Sequence, residues 1–232
     1  MNKLFVDTET TGLNPYKDYL QLIGYANGDG QIEIINFLNP DFKGLFFSAC
    51  LKATDTLKVG HNLNFDLLFL NLNEYKTVGP YFDTQLYFHI QDPYQSSKLK
   101  DLGERILKRK VIRLEDIVEN KEKEGYIKIG HDNEKGYGFI EKDTLSRYLV
   151  QDVTLTRDLY KYIEHRGVSE YYVRVEQPLI QMILDMELRG IKIDRDRLEI
   201  FDKELRKEVL KLEKYFDRLG INPRSPKQVR EY

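Results

Sequence analysis

Short strand-like runs that alternate with helix-like segments constrain the fold of this chain more than any other feature of its sequence. Apolar or alternating runs at 3–6, 19–26 and 31–38 are separated by glycine, asparagine and proline, so they predict three strands, the last two forming a hairpin. A helix predicted at 45–52 then precedes a fourth short strand at 57–60. Strands and helices in this order predict a mixed α/β domain.

The pattern then becomes mainly helical. Apolar residues between 64 and 72 predict a well-buried helix. Asp83 is a suitable N-cap for a helix that continues to about Ile90, and a further helix is predicted at 99–107. Three predicted helices therefore follow the strands.

The segment 108–142 interrupts this pattern with charge runs and four glycines. This composition predicts that the segment leaves the core and forms at most a small hairpin. Order returns with Asp143, a predicted N-cap for a helix from about 144 to 164 that ends at Gly167. We therefore place a first domain at 1–168, with a variable insertion at about 108–142.

The remainder, 169–232, is predicted to be a helical appendage. Ser169 can cap a helix that continues through Leu188. A longer helix then carries one apolar stripe with spacings of three and four residues, which comprises Leu198, Phe201, Leu205, Val209, Leu212, Phe216 and Leu219. Ser225 and Pro226 open one more helix, which has room for one turn before the sequence stops. We therefore expect a fragment, or one half of a larger protein.

The composition limits the classes of protein and of site that this chain can form. Its 36 basic and 38 acidic residues give no global basic signature, so attraction to phosphate has to be local or mediated by metal ions. With Cys50 as its single cysteine, the chain can form no internal disulfide and no thiolate metal cluster. The start of the sequence does not resemble a signal peptide, and no apolar run is long enough for a membrane-spanning helix. We expect a soluble cytoplasmic protein, in the host cytoplasm for a phage, without a membrane partner.

Two carboxylates follow the first predicted strand, at positions where further apolar residues would be expected. In FVDTETTGL, residues 5–13, Asp7 and Glu9 are separated by one residue, so their side chains point to the same side of a strand. Like charges held this close repel one another, and the arrangement persists most readily with a cation between them. A solvated strand end is the ordinary interpretation of such a pair, and a metal site is the alternative.

Two further pairs of polar residues favour the metal site. Asn62 and Asp66 stand four apart at the start of a predicted helix, and Tyr148 and Asp152 stand four apart within another. This spacing places both members of each pair on one face of a helix. Each motif alone is weak, but all of them lie in one α/β domain. Hard oxygen ligands select Mg²⁺ or Mn²⁺ over zinc, and two such ions can hydrolyse a phosphodiester.

Together these motifs resemble D-x-E, N-x-x-x-D and Y-x-x-x-D, the three motifs of the DEDD superfamily of 3′ to 5′ exonucleases. The tyrosine subgroup fits better than the histidine subgroup, because the position five before Asp152 is Arg147. The segments 176–194 and 222–229 are similar to the start of the polymerase region in bacterial-type and phage-type family A DNA polymerases. The resemblance implies a ribonuclease H-like mixed β-sheet flanked by helices, followed by a thumb-base appendage at 169–232.

The resemblance also implies which residues hold two Mg²⁺ (or Mn²⁺) ions. Asp7 would bridge both ions. Glu9 and Asp152 would complete the first, and Asp66 would hold the second, partly through water. Tyr148 would orient the attacking water.

Two residues are implied in substrate binding, each with an ordinary alternative. Leu13 would wedge against the last bases of the strand, or would be a core residue. Asn62 would contact the strand near its terminal nucleotides, or would make a hydrogen bond at the helix N-terminus. Four histidines lack ligand spacing and are interpreted as structural or surface residues: His61, His89, His131 and His165.

The implied function is a metal-dependent 3′ to 5′ exonuclease that removes nucleotides from single-stranded DNA 3′ ends, as the proofreading part of a family A DNA polymerase. We expect no DNA synthesis from this chain alone, since the palm and fingers would belong to the same parent protein or to a second polypeptide. Two alternatives are a free-standing DEDD enzyme that trims RNA and a noncatalytic module that binds DNA or a partner. The thumb-like segment argues against the first, and the four retained carboxylates argue against the second.

Overall fold

The computed structural model of this chain describes residues 1–37, 43–113, 116–117 and 141–232. Most of the predicted excursion at 108–142 lies outside the described residues. The chain divides into two compact units, Met1–Arg189 and Gly190–Tyr232. Within the described ranges, no helix is long and apolar enough to cross a lipid bilayer.

The first unit is built on a mixed five-stranded sheet with the strand order β3-β2-β1-β4-β5. β1 is central, with β2 antiparallel to it on one side and β4 parallel to it on the other. β3 extends the sheet antiparallel to β2, and β5 extends it parallel to β4. The bounds are β1 Asn2–Thr10, β2 Leu20–Asn27, β3 Glu33–Asn36, β4 Thr56–Gly60 and β5 Tyr81–Asp83.

Helices cover both faces of this sheet. Their bounds are α1 Lys43–Lys52, α2 Leu63–Leu72, α3 Thr84–Gln91, α4 Leu99–Arg105, α5 Lys142–Arg166 and α6 Gln177–Arg189. Side chains alternate along β1, so Leu4 and Val6 pack in a core with α1, α2 and α6, whereas Phe5 packs in a second core with α3 and α5. The sheet is thus buried on both faces, as expected for strands with short continuous apolar runs.

Most predicted elements of this unit are confirmed, and three details of the prediction are wrong. The three-residue strand β5 was not predicted, and the first strand runs on past the two carboxylates to Thr10. Asp143 is not the N-cap of α5 but lies in its first turn, since the helix begins one residue earlier, after Glu141. Asp83 does cap α3, because its side chain accepts hydrogen bonds from the backbone of Gln85 and Leu86.

The helix predicted from Ser169 to Leu188 contains a π-helical turn, Tyr172–Glu176, followed by α6. Ile180 and Leu184 of α6 belong to the core that also contains α1 and α2. The first compact unit therefore extends past residue 168, where we placed the domain boundary. The assignment of 169–232 to a thumb region stays a prediction.

The second unit consists of α7, Arg195–Leu219, and α8, Pro226–Glu231. Asp194 caps α7, and Gly220 ends it in the left-handed conformation, with φ 67°. Ser225 caps α8, with Pro226 in its first turn. The predicted apolar stripe lies on α7, and none of its residues is buried in this unit.

Candidate active site

The site lies at the end of the central strand, where β1 continues beyond its neighbour. Pairing of β1 with β4 ends at Phe5 and Val59, whereas pairing with β2 continues to Thr10. Asp7 and Glu9 follow the last residue paired with β4, so one side of β1 is open at their level. This opening is a cleft of about 230 Å³.

All seven residues predicted for the site lie on this cleft. Its lining comprises Asp7, Thr8, Glu9, Thr10, Leu13, His61, Asn62, Phe65, Asp66, Tyr148 and Asp152. Three distant parts of the chain therefore meet here, as the motif pattern predicted. The role of each residue stays a prediction.

A close approach between α5 and the sheet brings Asp152 to the acid pair. Asp7 pairs with Gly24 of β2, and a Cβ atom added to Gly24 would lie only 2.7 Å from Leu149 Cγ on α5. Glycine at this position thus lets α5 cross directly over the strand end. As a result, Asp7, Glu9 and Asp152 each offer a carboxylate oxygen, and these oxygens all lie within 4.8 Å of one another.

Asp66 enters the cleft from the other face of the sheet, on the first turn of α2. Thr8 points to that face, and its hydroxyl donates a 2.6 Å hydrogen bond to Asp66 Oδ1. Asp66 is 2% exposed, so the hydroxyl satisfies an otherwise buried carboxylate oxygen. The strand thus holds acids on both of its faces.

The N-terminus of α2 is held in an unusual backbone conformation beside the cleft. Asn62 is left-handed, with φ 61° and ψ 44°, and its side chain makes no hydrogen bond to the helix. Its backbone N–H and that of Leu63 donate to the buried carboxylate of Asp83. A left-handed residue other than glycine is uncommon and is often found at functional sites. The hydrogen bonds of Asn62 at the helix N-terminus thus come from its backbone and not from its side chain, and its contact with the substrate stays a prediction.

Leu13 lies on the loop after β1 and is 76% exposed. The alternative of an ordinary core residue is therefore wrong. The loop is closed by two hydrogen bonds between Thr11 and Tyr19. An exposed leucine at the rim of a cleft is available for contact with a ligand.

Two residues near the carboxylates were not predicted as part of the site. His61 is buried, lines the cleft, and has its Nδ1 atom 2.9 Å from Thr84 Oγ1. Burial lowers the pKa of His61 to about 3, so its ring is neutral. Lys100 of α4 donates a hydrogen bond to Asp152 and lies over the Tyr148 ring. A lone histidine and one lysine among many carry no spacing signal, so neither could have been selected from the sequence.

Burial makes the acids difficult to ionise in the absence of a cation. It raises the pKa of Asp7 to about 7, although the positive charge of Lys100 opposes this effect. Burial and the neighbouring Asp7 raise the pKa values of Glu9 and Asp66 well above the usual range. The donor set is made of hard carboxylate oxygens, and it fits divalent ions such as Mg²⁺ or Mn²⁺.

A mixed sheet covered by helices on both faces, with carboxylates gathered at the end of its central strand, defines a ribonuclease H-like nuclease. Residues 1–167 match the 3′–5′ exonuclease family of family A DNA polymerases. The chain belongs to this family.

Individual relatives agree with this assignment. The chain is 28% identical over 246 residues to DNA polymerase I of Borreliella burgdorferi. This alignment covers 97% of this chain but only 25% of that protein. It thus spans about a quarter of that relative. The structure is similar to Pol1 from M. smegmatis, with TM-score 0.70, 18% identity and coverage of 98% of this chain and 36% of that chain. It is also similar to Brucella melitensis NrnC with bound Mg²⁺, with TM-score 0.56, 20% identity and coverage of 81% and 86%. Both structures show the same fold.

Proposed function

We propose that this chain is the proofreading part of a family A DNA polymerase and removes nucleotides from the 3′ end of single-stranded DNA with the help of two divalent ions. The observation that carries the proposal is the meeting of Asp7, Glu9 and Asp152 within 4.8 Å, with Asp66 in the same cleft. Family membership supports the direction of cleavage, and the relatedness to DNA polymerase I supports DNA as substrate.

Asp7, Glu9, Asp66 and Asp152 would hold the two ions, with Mg²⁺ or Mn²⁺ as the candidates. When bound, such ions activate water and neutralise charge on the phosphate. The bound Mg²⁺ of NrnC, a protein of the same fold, supports this choice. The contribution of the chain is to hold four acids at one point despite their repulsion, with Asp66 and Asp152 buried and Asp7 and Glu9 half-buried.

Tyr148 would orient the attacking water through its hydroxyl. A phenol stays protonated near neutral pH, so it can position water but cannot deprotonate it. Its place on α5, one turn before Asp152, and on the lining of the same cleft supports this role. Asn62 and Leu13, both exposed at the cleft, would contact the terminal nucleotides of the strand.

The length of the relatives supports a proposal about the rest of the polymerase. Because the chain spans about a quarter of a DNA polymerase I, we propose that palm and fingers belong to the same parent protein or to a second polypeptide. This chain alone would then not synthesise DNA. A cytoplasmic location would accompany this function.

The test is digestion of a 5′-labelled single DNA strand by the purified chain. We expect a ladder of products shortened from the 3′ end in Mg²⁺ and none in EDTA. Asp7→Ala and Asp152→Ala should each lower the rate by about three orders of magnitude, whereas Asp143→Ala, an exposed acid on the same helix as Asp152, should not.

Two outcomes would contradict the proposal. Equal digestion of an RNA strand would favour a free-standing trimming enzyme. A folded wild-type chain that leaves both strands intact would favour a noncatalytic binding module.

A further inference from the structure

A lysine that the motifs do not include lies among the carboxylates. The Lys100 side chain is 11% exposed, as buried as the Asp152 side chain at 10%. Its Nζ atom donates to Asp152 Oδ1 and lies 4.0 Å from the centroid of the Tyr148 ring. Lysine is almost never buried without a charged partner, so the ammonium group is held by the site itself.

The packing of two helices brings Lys100 to this position. Gly103 lies one turn after Lys100 on α4, and Leu155 lies one turn after Asp152 on α5. A Cβ atom added to Gly103 would lie 3.0 Å from Leu155 Cδ2, so glycine lets the helices approach closely at this level. The same approach, one turn away, places Lys100 against Asp152. Two helix backbones therefore fix the contact.

The charge of Lys100 acts on more than its direct partner. It lowers the pKa values of Asp7 and Glu9, in opposition to the larger effect of burial. These two acids and Asp152 are the three whose oxygens lie within 4.8 Å of one another. The ammonium group thus neutralises part of the charge at the point where a divalent ion would bind.

An ammonium group and a divalent ion compete for this point. An ion needs the carboxylate oxygens as ligands, and Lys100 occupies Oδ1 of Asp152. Two positive charges a few ångströms apart also repel one another strongly where little water is present. The flexible four-carbon stem of lysine allows the ammonium group to move away without movement of α4.

We propose that Lys100 is a positioning residue that takes the place of a divalent ion in the metal-free enzyme and releases Asp152 when an ion binds. This inference rests on the proposed function. Before metal binds, Lys100 keeps Asp152 and the ring of Tyr148 in place among acids that repel one another. Binding of a divalent ion then replaces the ammonium group of Lys100 beside Asp152. Because the ion pair between Lys100 and Asp152 must break first, the apparent metal affinity is weaker.

The first experiment measures Mn²⁺ binding by titration calorimetry on the purified chain. Lys100→Met keeps the length of the side chain and removes the charge, so it should bind Mn²⁺ about tenfold more tightly, since no buried ion pair has to break. In EDTA the same variant should unfold at a lower temperature than wild type, and Mn²⁺ should raise its unfolding temperature by more. Lys100→Arg should restore wild-type affinity, and Lys98→Met, at an exposed position just before the helix, should bind as wild type.

The second experiment uses wild-type protein and does not depend on the folding of a variant. Lysines are acetylated with acetic anhydride in EDTA or in saturating Mn²⁺, and the modification of Lys100 is measured by mass spectrometry. Once released from Asp152, the Lys100 side chain can react through its deprotonated amine, so its acetylation should be several times faster in Mn²⁺, with Lys98 as the internal reference. Unchanged reactivity of Lys100, or unchanged or weaker Mn²⁺ binding by Lys100→Met, would overturn the inference. Failure of the proposed function is distinguishable, because wild type would then bind no Mn²⁺ or cleave no DNA.

Discussion

Asp66 and Asp152 enter the same cleft from opposite faces of the sheet, and the structure holds them in different ways. Asp66, on α2, accepts a hydrogen bond from the neutral hydroxyl of Thr8. Asp152, on α5, accepts from the charged ammonium group of Lys100. Both carboxylates are buried, at 2% and 7% exposure, so the difference lies in the partner and not in the solvent.

The difference has a consequence for ion binding. A hydroxyl can stay on one carboxylate oxygen while the other oxygen binds a metal ion, so the Thr8 contact supports Asp66 in both states. An ammonium group carries the charge that the ion would bring, so the Lys100 contact belongs to the metal-free state. The Asp66 side of the cleft is thus preorganised for an ion, whereas on the other side Asp152 exchanges Lys100 for the ion.

Loss of either carboxylate should have the largest effect. Asp66→Asn and Asp152→Asn keep the shape of the side chain but remove an anionic ligand, and each should lower the single-turnover rate constant by about three orders of magnitude, or ~4 kcal/mol. The measurement is single-turnover cleavage of a labelled DNA strand in saturating Mg²⁺. Asp143→Asn on α5 is the matched control. Near wild-type rates in either variant would show that the corresponding side of the cleft does not serve the reaction.

Thr8→Val should have a smaller effect, confined to the α2 side. The substitution keeps the shape of the side chain but removes the hydroxyl that donates to Asp66 Oδ1, which raises the pKa of that carboxylate further. We expect the Mg²⁺ concentration for half-maximal cleavage to rise about tenfold, equivalent to ~1.4 kcal/mol.

The control for this variant is Thr154→Val, because the Thr154 hydroxyl bonds within its own helix to Val150. A Thr8→Val enzyme with wild-type metal dependence would mean that the hydroxyl is not needed to position Asp66.

The site carboxylates were predictable because each lies in a short pattern with a fixed geometric meaning. A spacing of two on a strand placed Asp7 and Glu9 together, and a spacing of four marked Asp66 and Asp152 on their helices. The hydrogen-bond partners that hold Asp66 and Asp152 on the two sides of the cleft were less predictable. The partners of Asp66 and Asp152 come from different elements, and no local spacing relates Lys100 to an acid 52 positions later.

The errors in the predicted fold likewise occur where the sequence offers no long local pattern. β5 is three residues long and offers too few positions for a periodic pattern. Asp143 is a good capping residue, but α5 starts at Lys142, two residues before the predicted start, and helix ends are the least predictable part of a helix. Long patterns, such as that of α7, were predicted well because many residues agree.

Tyr148→Phe should have a moderate effect without a change in the metal-free site. The variant keeps the ring that lies under Lys100 and removes only the hydroxyl, so Mn²⁺ affinity should stay as in wild type. We expect kcat to fall by about tenfold to a hundredfold, because orientation of the water is lost. Rates and Mn²⁺ affinity are measured on the same preparation. A kcat within twofold of wild type would exclude the hydroxyl from the reaction.

The smallest expected effect is the pH dependence of stability in EDTA. Burial raises the pKa of Asp7 from 3.8 to about 7, so the folded chain binds a proton that the unfolded chain has already lost. Stability should therefore rise as the pH falls from 8 to 6.5, by at most about 1 kcal/mol from Asp7, with Glu9 and Asp66 acting in the same direction. Below pH 6.5 His61 has the opposite effect, because its lowered pKa keeps it neutral when folded.

Urea unfolding at pH 6.5 and 8 measures this difference. Asp7→Asn should reduce the pH dependence, and Mn²⁺ should remove it, since a bound ion keeps the acids ionised. The two sides of the cleft can then be separated, because Lys100→Met should steepen the dependence through Asp7 and Glu9, whereas Thr8→Val should steepen it through Asp66. Equal slopes in wild type and Asp7→Asn would mean that Asp7 is ionised at neutral pH without any ion, and that the cluster is less strained than its burial indicates.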